Sequence, residues 1–299
     1  MDRAERKLHS LEKIVVLFAL AAVLFVSVGF AQGAGPKRKG NAQLPDKMAL
    51  RSSVALVQDA ASGETLFDKN SETVLPIASI TKLMTTIVVL EQQLDLEQRV
   101  VISQDDVVAT HSSRIRGRLR PGSALTRDEL LLLALMASDN RAAAALARTF
   151  PGGTEAFVAS MNGEAERLGL LDTRFSDPTG LSPDNVSSAR DLAKLVRAAH
   201  AYPLIREHST RRSAFVKARD GRVGFNNTNS LVRSGKWDIE LSKTGYISAA
   251  GRCLVMLVRV GTRDLVVVLL DSYGRYSRVG DAQRIRKWLE TSTVGEPRG

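Results

Sequence analysis

Ser79 and Lys82 stand three residues apart in Ser79-Ile80-Thr81-Lys82, a spacing that puts both side chains on one face of a helix. A serine hydroxyl becomes a nucleophile at neutral pH only beside a base. Lysine supplies that base once burial or a nearby cation disfavours its ammonium form. A helix N-terminus at Ser79 would add a field that favours developing negative charge. Ser138-Asp139-Asn140 follows Arg127–Ala137, the most apolar helical stretch of the chain. A polar triplet at a helix break can aim side chains into a cleft, and it can equally be a plain helix cap. Lys243-Thr244-Gly245 lies in a strand-like stretch. Glycine in a strand marks close approach of a ligand or another backbone. Such an edge beside a nucleophile could pair with an extended peptide, although a lysine on an ordinary edge strand reads the same way. Each motif alone is weak.

The elements that must carry these residues can be read from periodicity. Ser53–Val57 and Glu64–Phe67 form a hairpin around Asp59-Ala60-Ala61-Ser62-Gly63. A helix runs from Ser79 to about Gln92, and Arg127–Ala137 predicts a buried helix. Asn140–Thr149 and Thr154–Leu168 are further helices, divided by Pro151-Gly152-Gly153. Asp177-Pro178-Thr179-Gly180 is a turn cluster, and Ser187 or Ser188 caps a helix ending at His200. Leu241–Ile247, Cys253–Val260 and Leu265–Leu270 are strands on short connections, hence antiparallel neighbours. Asp281–Glu290 closes the series as a helix. The order predicts an α/β domain. Its central antiparallel sheet draws edges from both ends of the chain, around an inserted helical region.

Taken together the three motifs are more specific. S-x-x-K, S-D-N 59 residues later and K-T-G 105 residues after that form an ordered set. With the flanking Val57–Lys69, Leu75–Met84, Ala137–Ala143, Asp177–Leu181 and Lys243–Tyr246, the chain resembles the serine D-alanyl-D-alanine peptidases, the low-molecular-mass penicillin-binding proteins. It is most similar to their endopeptidase branch, from about Val54 to Glu290. The resemblance implies a β-lactamase/transpeptidase-like fold with helices on both sheet faces. It implies Ser79 as acylated nucleophile, Lys82 as proton acceptor and Ser138 as relay to the leaving amine. Asn140 would hold the substrate amide, and Lys243 and Thr244 a substrate carboxylate beside Gly245. The backbone N–H groups of Ser79 and Tyr246 would form the oxyanion hole. Arg252 is a further candidate for the carboxylate. The implied activity is hydrolysis of D-Ala-diaminopimelate crosslinks in peptidoglycan through an acyl-enzyme, with D-alanyl-D-alanine carboxypeptidase as the alternative. The implied partners are peptidoglycan stems, with covalent inhibition by β-lactams. A class A β-lactamase would need a deacylating glutamate, and Glu164 and Glu166 fall in a helix without the accompanying Asn. A non-catalytic wall-binding protein is opposed by the intact motifs.

Composition narrows the rest. The 299 residues carry 42 Lys and Arg against 32 Asp and Glu, net +10, which suits an anionic partner. The single cysteine, Cys253, allows no intrachain disulfide. His9, His111, His200 and His208 show no ligand spacing, so no metal or cofactor is expected. Ile14–Phe30 is a 17-residue run without charge behind Arg3, Arg6, Lys7 and Lys13. It reads as an export signal (residues 1–31, cleaved after Ala31) or as a short membrane anchor. Cleavage removes four basic and three acidic residues and leaves +9. Residues 32–49 form a basic Gly/Pro linker, 50–292 the peptidase domain and 293–299 a tail. Gly35–Gly40 superficially resembles a phosphate loop, but Asn41 replaces the lysine and no strand precedes it. Many relatives in the family add a β-rich domain and a membrane-lying helix. The end at Gly299 leaves room for neither, so the expectation is a single-domain periplasmic enzyme that meets no nucleic acid. It would touch the membrane only if the leader is retained.

Overall fold

The computed structural model describes residues 48–110, 119–219 and 221–293. The expected leader, most of the linker, His9, His111 and residues 294–299 lie outside these. Apolar runs build a five-stranded antiparallel sheet from β1 (Ser52–Asp59), β2 (Thr65–Lys69), β9 (Asp238–Ile247), β10 (Gly251–Val260) and β11 (Arg263–Ser272). The strand order is β2-β1-β11-β10-β9, so the edges do come from both ends of the chain.

Both sheet faces are buried. Val255 and Leu257 of β10, with Val266 and Val268 of β11, enter the larger core. That core holds α1 (Lys82–Glu91), α3 (Arg127–Met136), α4 (Asn140–Arg148), α5 (Gly153–Arg167) and α6 (Ala189–His200). The alternate residues Leu254, Met256, Leu265 and Val267 face the smaller core under α9 (Ser277–Thr293). This two-sided burial is why the strands read as continuous apolar runs. Asp281 of α9 pins that helix to β1, accepting from the Ser52 backbone at 2.8 Å and its hydroxyl at 2.6 Å.

Between β2 and β9 lie the small pairs β3 (Leu75–Pro76) with β6 (Val186–Ser187), and β4 (Arg99–Val101) with β5 (Ala124–Thr126). The short helix α2 (Gln104–Ala109) follows β4. Ser188, not Ser187, caps α6 by accepting from Asp191 N–H at 3.2 Å. Besides the small strand pairs and α2, the sequence pattern did not predict α7 (Pro203–Thr210), the hairpin of β7 (Ser213–Ala218) and β8 (Gly221–Asn226), or the short α8 (Ser230–Ser234). The hairpin turns Ala214, Val216 and Phe225 inward, so its period of two is real but its apolar content is low. Among the described residues no helix is long and apolar enough to cross a membrane.

Candidate active site

Ser79 does not open an α-helix as the sequence pattern predicts. It sits in a 3-10 turn, Ala78–Thr81, and the α-helix begins at Lys82. The tighter turn still delivers the pair: Lys82 Nζ donates to Ser79 Oγ at 2.9 Å. Ala78 just before the serine has φ +48°, a left-handed conformation that a non-glycine residue holds at a cost of about 1–3 kcal/mol. Two glycines make room for this strained backbone. A Cβ on Gly180, itself at φ +78°, would lie 2.0 Å from the Ala78 carbonyl oxygen. A Cβ on Gly245 would lie 2.9 Å from the Ile77 carbonyl oxygen and 3.1 Å from Ser79 N. Gly245 is therefore the close approach its strand position predicts.

Ser138-Asp139-Asn140 occupies the break between α3 and α4. Asp139 is the N-cap of α4 and accepts from Ala142 N–H at 3.0 Å. The capping reading of this triplet therefore falls on its middle residue. Ser138, between the two helices, has φ +56°, a left-handed conformation uncommon for a non-glycine residue. Its Oγ accepts from Lys243 Nζ at 2.8 Å, while Asn140 Oδ1 accepts from Lys82 Nζ at 2.8 Å. Thr244 Oγ1 donates to Thr228 Oγ1 at 2.6 Å, and Thr228 N–H in turn binds the Met136 carbonyl at the end of α3. The three motifs therefore meet on one surface, although 105 residues separate Ser138 from Lys243.

Both lysines are buried. Burial pushes Lys82 down to about 7, against the opposing pull of the Asp177 and Asp139 carboxylates. Lys243 is lowered well below the ordinary lysine value, first by burial and then by the Lys82 and Arg278 charges. The repulsion between the two lysines is felt by Lys243; the depression of Lys82 comes from its burial. Asp177 stays ionised. Burial opposes this, but the Thr179 hydroxyl and the backbone N–H groups of Ser182, Thr179 and Gly180 outweigh it.

Two parts of this site had no assigned role in the sequence. The Asp177–Gly180 turn places the Thr179 carbonyl 2.5 Å from Lys82 Nζ, and its Asp177 supplies the nearby negative charge. Arg278, in the first turn of α9, donates to the Gly245 carbonyl at 2.8 Å and to the Cys253 carbonyl at 3.1 Å. Burial, then the charge of Arg252, brings its guanidinium down to about 10. Arg252 lies over the exposed Tyr246 ring, 4.5 Å from its centre. Neither glutamate weighed for a β-lactamase enters the cluster, and Glu164 is held by Arg167 on α5 at 2.6 Å. Cys253 is buried, and burial raises its thiol to about 11, so it is a packing residue. Among the described residues no group of three His, Cys, Asp or Glu could hold a metal.

The chain is 44% identical over 291 residues to a D-alanyl-D-alanine endopeptidase of Pseudomonas aeruginosa, covering 96% of this chain and 90% of the relative. It is 41% identical to a D-alanyl-D-alanine endopeptidase of Escherichia coli, covering 94% and 89%. The DD-transpeptidase of Streptomyces K15 superposes with a TM-score of 0.74 at 28% identity, over 80% of this chain and 97% of that one. The sequence profile of the D-alanyl-D-alanine carboxypeptidases, peptidase family S11, matches residues 40–274, and the chain belongs to that family of serine hydrolases.

Proposed function

We propose that this protein is a D-alanyl-D-alanine endopeptidase that hydrolyses D-Ala-diaminopimelate crosslinks of peptidoglycan. The observation that carries the chemistry is Lys82, a buried lysine near 7 with Ser79 Oγ at 2.9 Å. At neutral pH a large share of Lys82 is the free amine. It takes the Ser79 proton as Oγ attacks the D-Ala carbonyl carbon. The backbone N–H groups of Ser79 and Tyr246 hold the resulting oxyanion. Collapse breaks the C–N bond. The amine leaves with a proton passed from Lys82 through the Ser138 hydroxyl, and Ser79 keeps the acyl group. Water then attacks the ester, Lys82 accepting its proton, and the peptide acid departs as Ser79 regains its hydrogen. Asn140 holds the substrate amide. Lys243 and Thr244 meet a substrate carboxylate, and Arg278 fixes the Gly245 end of that strand from behind. A penicillin acylates Ser79 by the same first step and is then released slowly, because among the described residues no glutamate hydrogen-bonds to Ser79 or Lys82.

The endopeptidase reading is supported by the two relatives named for that activity, which span nearly the whole chain. The carboxypeptidase alternative has its own support in a 31% identical D-alanyl-D-alanine carboxypeptidase of Bacillus subtilis. The chain spans only 62% of that relative's length. Residues 1–31 would export the enzyme to the periplasm, where net positive charge draws it to the anionic wall. The test supplies purified crosslinked dimer and monomeric pentapeptide at equal concentration and follows products by mass. Dimer cleavage should outpace D-Ala release from the monomer. The reverse order would leave a carboxypeptidase.

A further inference from the structure

Three of the four tyrosines, Tyr246, Tyr273 and Tyr276, stand at one end of the central sheet and are 56%, 85% and 71% exposed. Tyr246 follows Gly245 directly on β9. Arg252 of β10 pairs with it, and Ser272 of β11 pairs with Arg252 on the other side. Tyr273 is the next residue. The segment through Arg275 and Tyr276 then returns to the same row, because Arg278 donates to the Gly245 carbonyl. The connection is tied down: Ser277 Oγ donates to the Tyr273 carbonyl, and Gly280 N–H to the Tyr276 carbonyl at 3.0 Å. The five side chains thus extend the proposed substrate strand as a fixed rim.

The arginines of this rim are held by rings. Arg252 lies 4.5 Å from the Tyr246 ring centre and Arg275 5.5 Å from that of Tyr276. Among the described residues neither forms an ion pair, whereas Arg148, Arg190, Arg259, Arg263 and Arg284 each grip a carboxylate. A guanidinium stacked on a ring keeps its donor edge free for an incoming oxygen. Exposed tyrosines contribute nothing to a core, but they give a binding surface large rigid area at low entropic cost. The two tryptophans, which a membrane-facing surface would expose, are engaged elsewhere. Trp288 packs edge-on against Phe67, and Trp237 lies under Arg286.

We propose that this rim docks the glycan strand of peptidoglycan. The C–H faces of its N-acetylated sugars lie on the tyrosine rings, and carboxylates of adjacent stems meet Arg252 and Arg275. This rests on the peptidoglycan reading above. It is favoured by the continuity of the rim with β9 and by the match of unpaired guanidinium groups to an acidic polymer.

The test uses the full chain and its Tyr273→Ala/Tyr276→Ala variant, both exposed positions outside the proposed catalytic groups. One probe is peptide-free glycan strands, read by co-sedimentation. The other is a pair of crosslinked dimers, with and without their disaccharides. The wild type should bind the strands and should cleave the disaccharide-bearing dimer with a kcat/KM about tenfold above the sugar-free one. The variant should lose both the binding and the preference while cleaving the sugar-free dimer at the wild-type rate. Strand binding and preference that survive in the variant overturn the proposal. So does a variant that loses only its binding to phosphatidylglycerol vesicles, which would make the rim a membrane contact. If the wild type cleaves neither dimer yet binds strands through the tyrosines, the endopeptidase reading fails and the docking surface stands.

Discussion

Arg127 at the start of α3 is as thoroughly buried as Lys82 and Lys243 in the candidate site, yet its residue type sets it apart. Its guanidinium donates to the Asp95 carbonyl at 3.2 Å, to Thr149 Oγ1 at 3.3 Å and to Gln98 Oε1. Carbonyl and amide oxygens dominate that set, and an arginine does not surrender its proton in a protein. The result is a clamp between the β4 approach and α4. Lys82 also donates to an amide and a carbonyl oxygen, Asn140 Oδ1 and Thr179 O, and Lys243 to the Thr244 carbonyl; each adds a serine hydroxyl, Ser79 or Ser138, and a lysine, unlike an arginine, can surrender its proton. The charge of Lys82 is also expendable, because burial has already brought its ammonium form down. A buried cation is thus structural or catalytic according to whether its residue type can exchange protons; neither burial nor a hydroxyl among its acceptors decides it.

The sharpest way to break this comparison is Ser79→Ala. It should abolish covalent labelling by fluorescent penicillin and all peptidase activity, with the thermal midpoint unchanged, since only one hydroxyl is lost. Covalent labelling that persists would move the nucleophile elsewhere. Next in size is Lys82→Arg, which keeps the cation but turns the site into a second Arg127. The acylation rate should fall about 10²–10⁴-fold, the usual worth of a general base. Retention of a substantial fraction of the wild-type rate would make Lys82 a structural cation. Lys243→Gln should lower kcat/KM for carboxylate-bearing substrates about 10–100-fold, matching a lost charged hydrogen bond of about 1.5–3 kcal/mol. The loss should be smaller for a substrate amidated at that carboxylate. Arg127→Met is the converse. Stranding three acceptors should cost about 3 kcal/mol in denaturant unfolding, while acylation by the folded protein stays within about twofold. A large acylation defect there would dissolve the distinction.

The same contrast explains what the sequence could disclose. Ser79, Lys82, Ser138, Asn140 and Lys243-Thr244-Gly245 were legible because the chemistry demands those residue types in that order. The sheet was legible because strands buried on both faces spell continuous apolar runs. The contact of the Thr179 carbonyl with Lys82 was not, since it spans 97 residues and uses a backbone atom that any residue carries. Arg278 was hidden for the same reason: its acceptors are carbonyls, and Arg252, closer in sequence to the motif, was the more visible candidate. The 3-10 turn at Ser79 depends on Ala78 holding φ +48°, a conformation for which alanine gives no signal. The β7–β8 hairpin, charged and short, alternates too weakly to stand out.

The pH dependence of penicillin acylation tests the central assignment most directly. Lys82 must be neutral to accept the Ser79 proton, so the rate should rise as pH increases through the value of Lys82. Burial sets that value at about 7, although Asp177 and Asp139 pull it upward. Lys243 is also lowered, by burial and then by the Lys82 and Arg278 charges, so loss of its ammonium weakens the hold on a substrate carboxylate below the ordinary lysine range. Stopped-flow labelling of the full chain from about pH 5 to about pH 10 resolves the rising limb. A rising limb centred near 7 is the predicted result. A rate that is flat across that range, or that rises only near 10.5, would contradict Lys82 as the base.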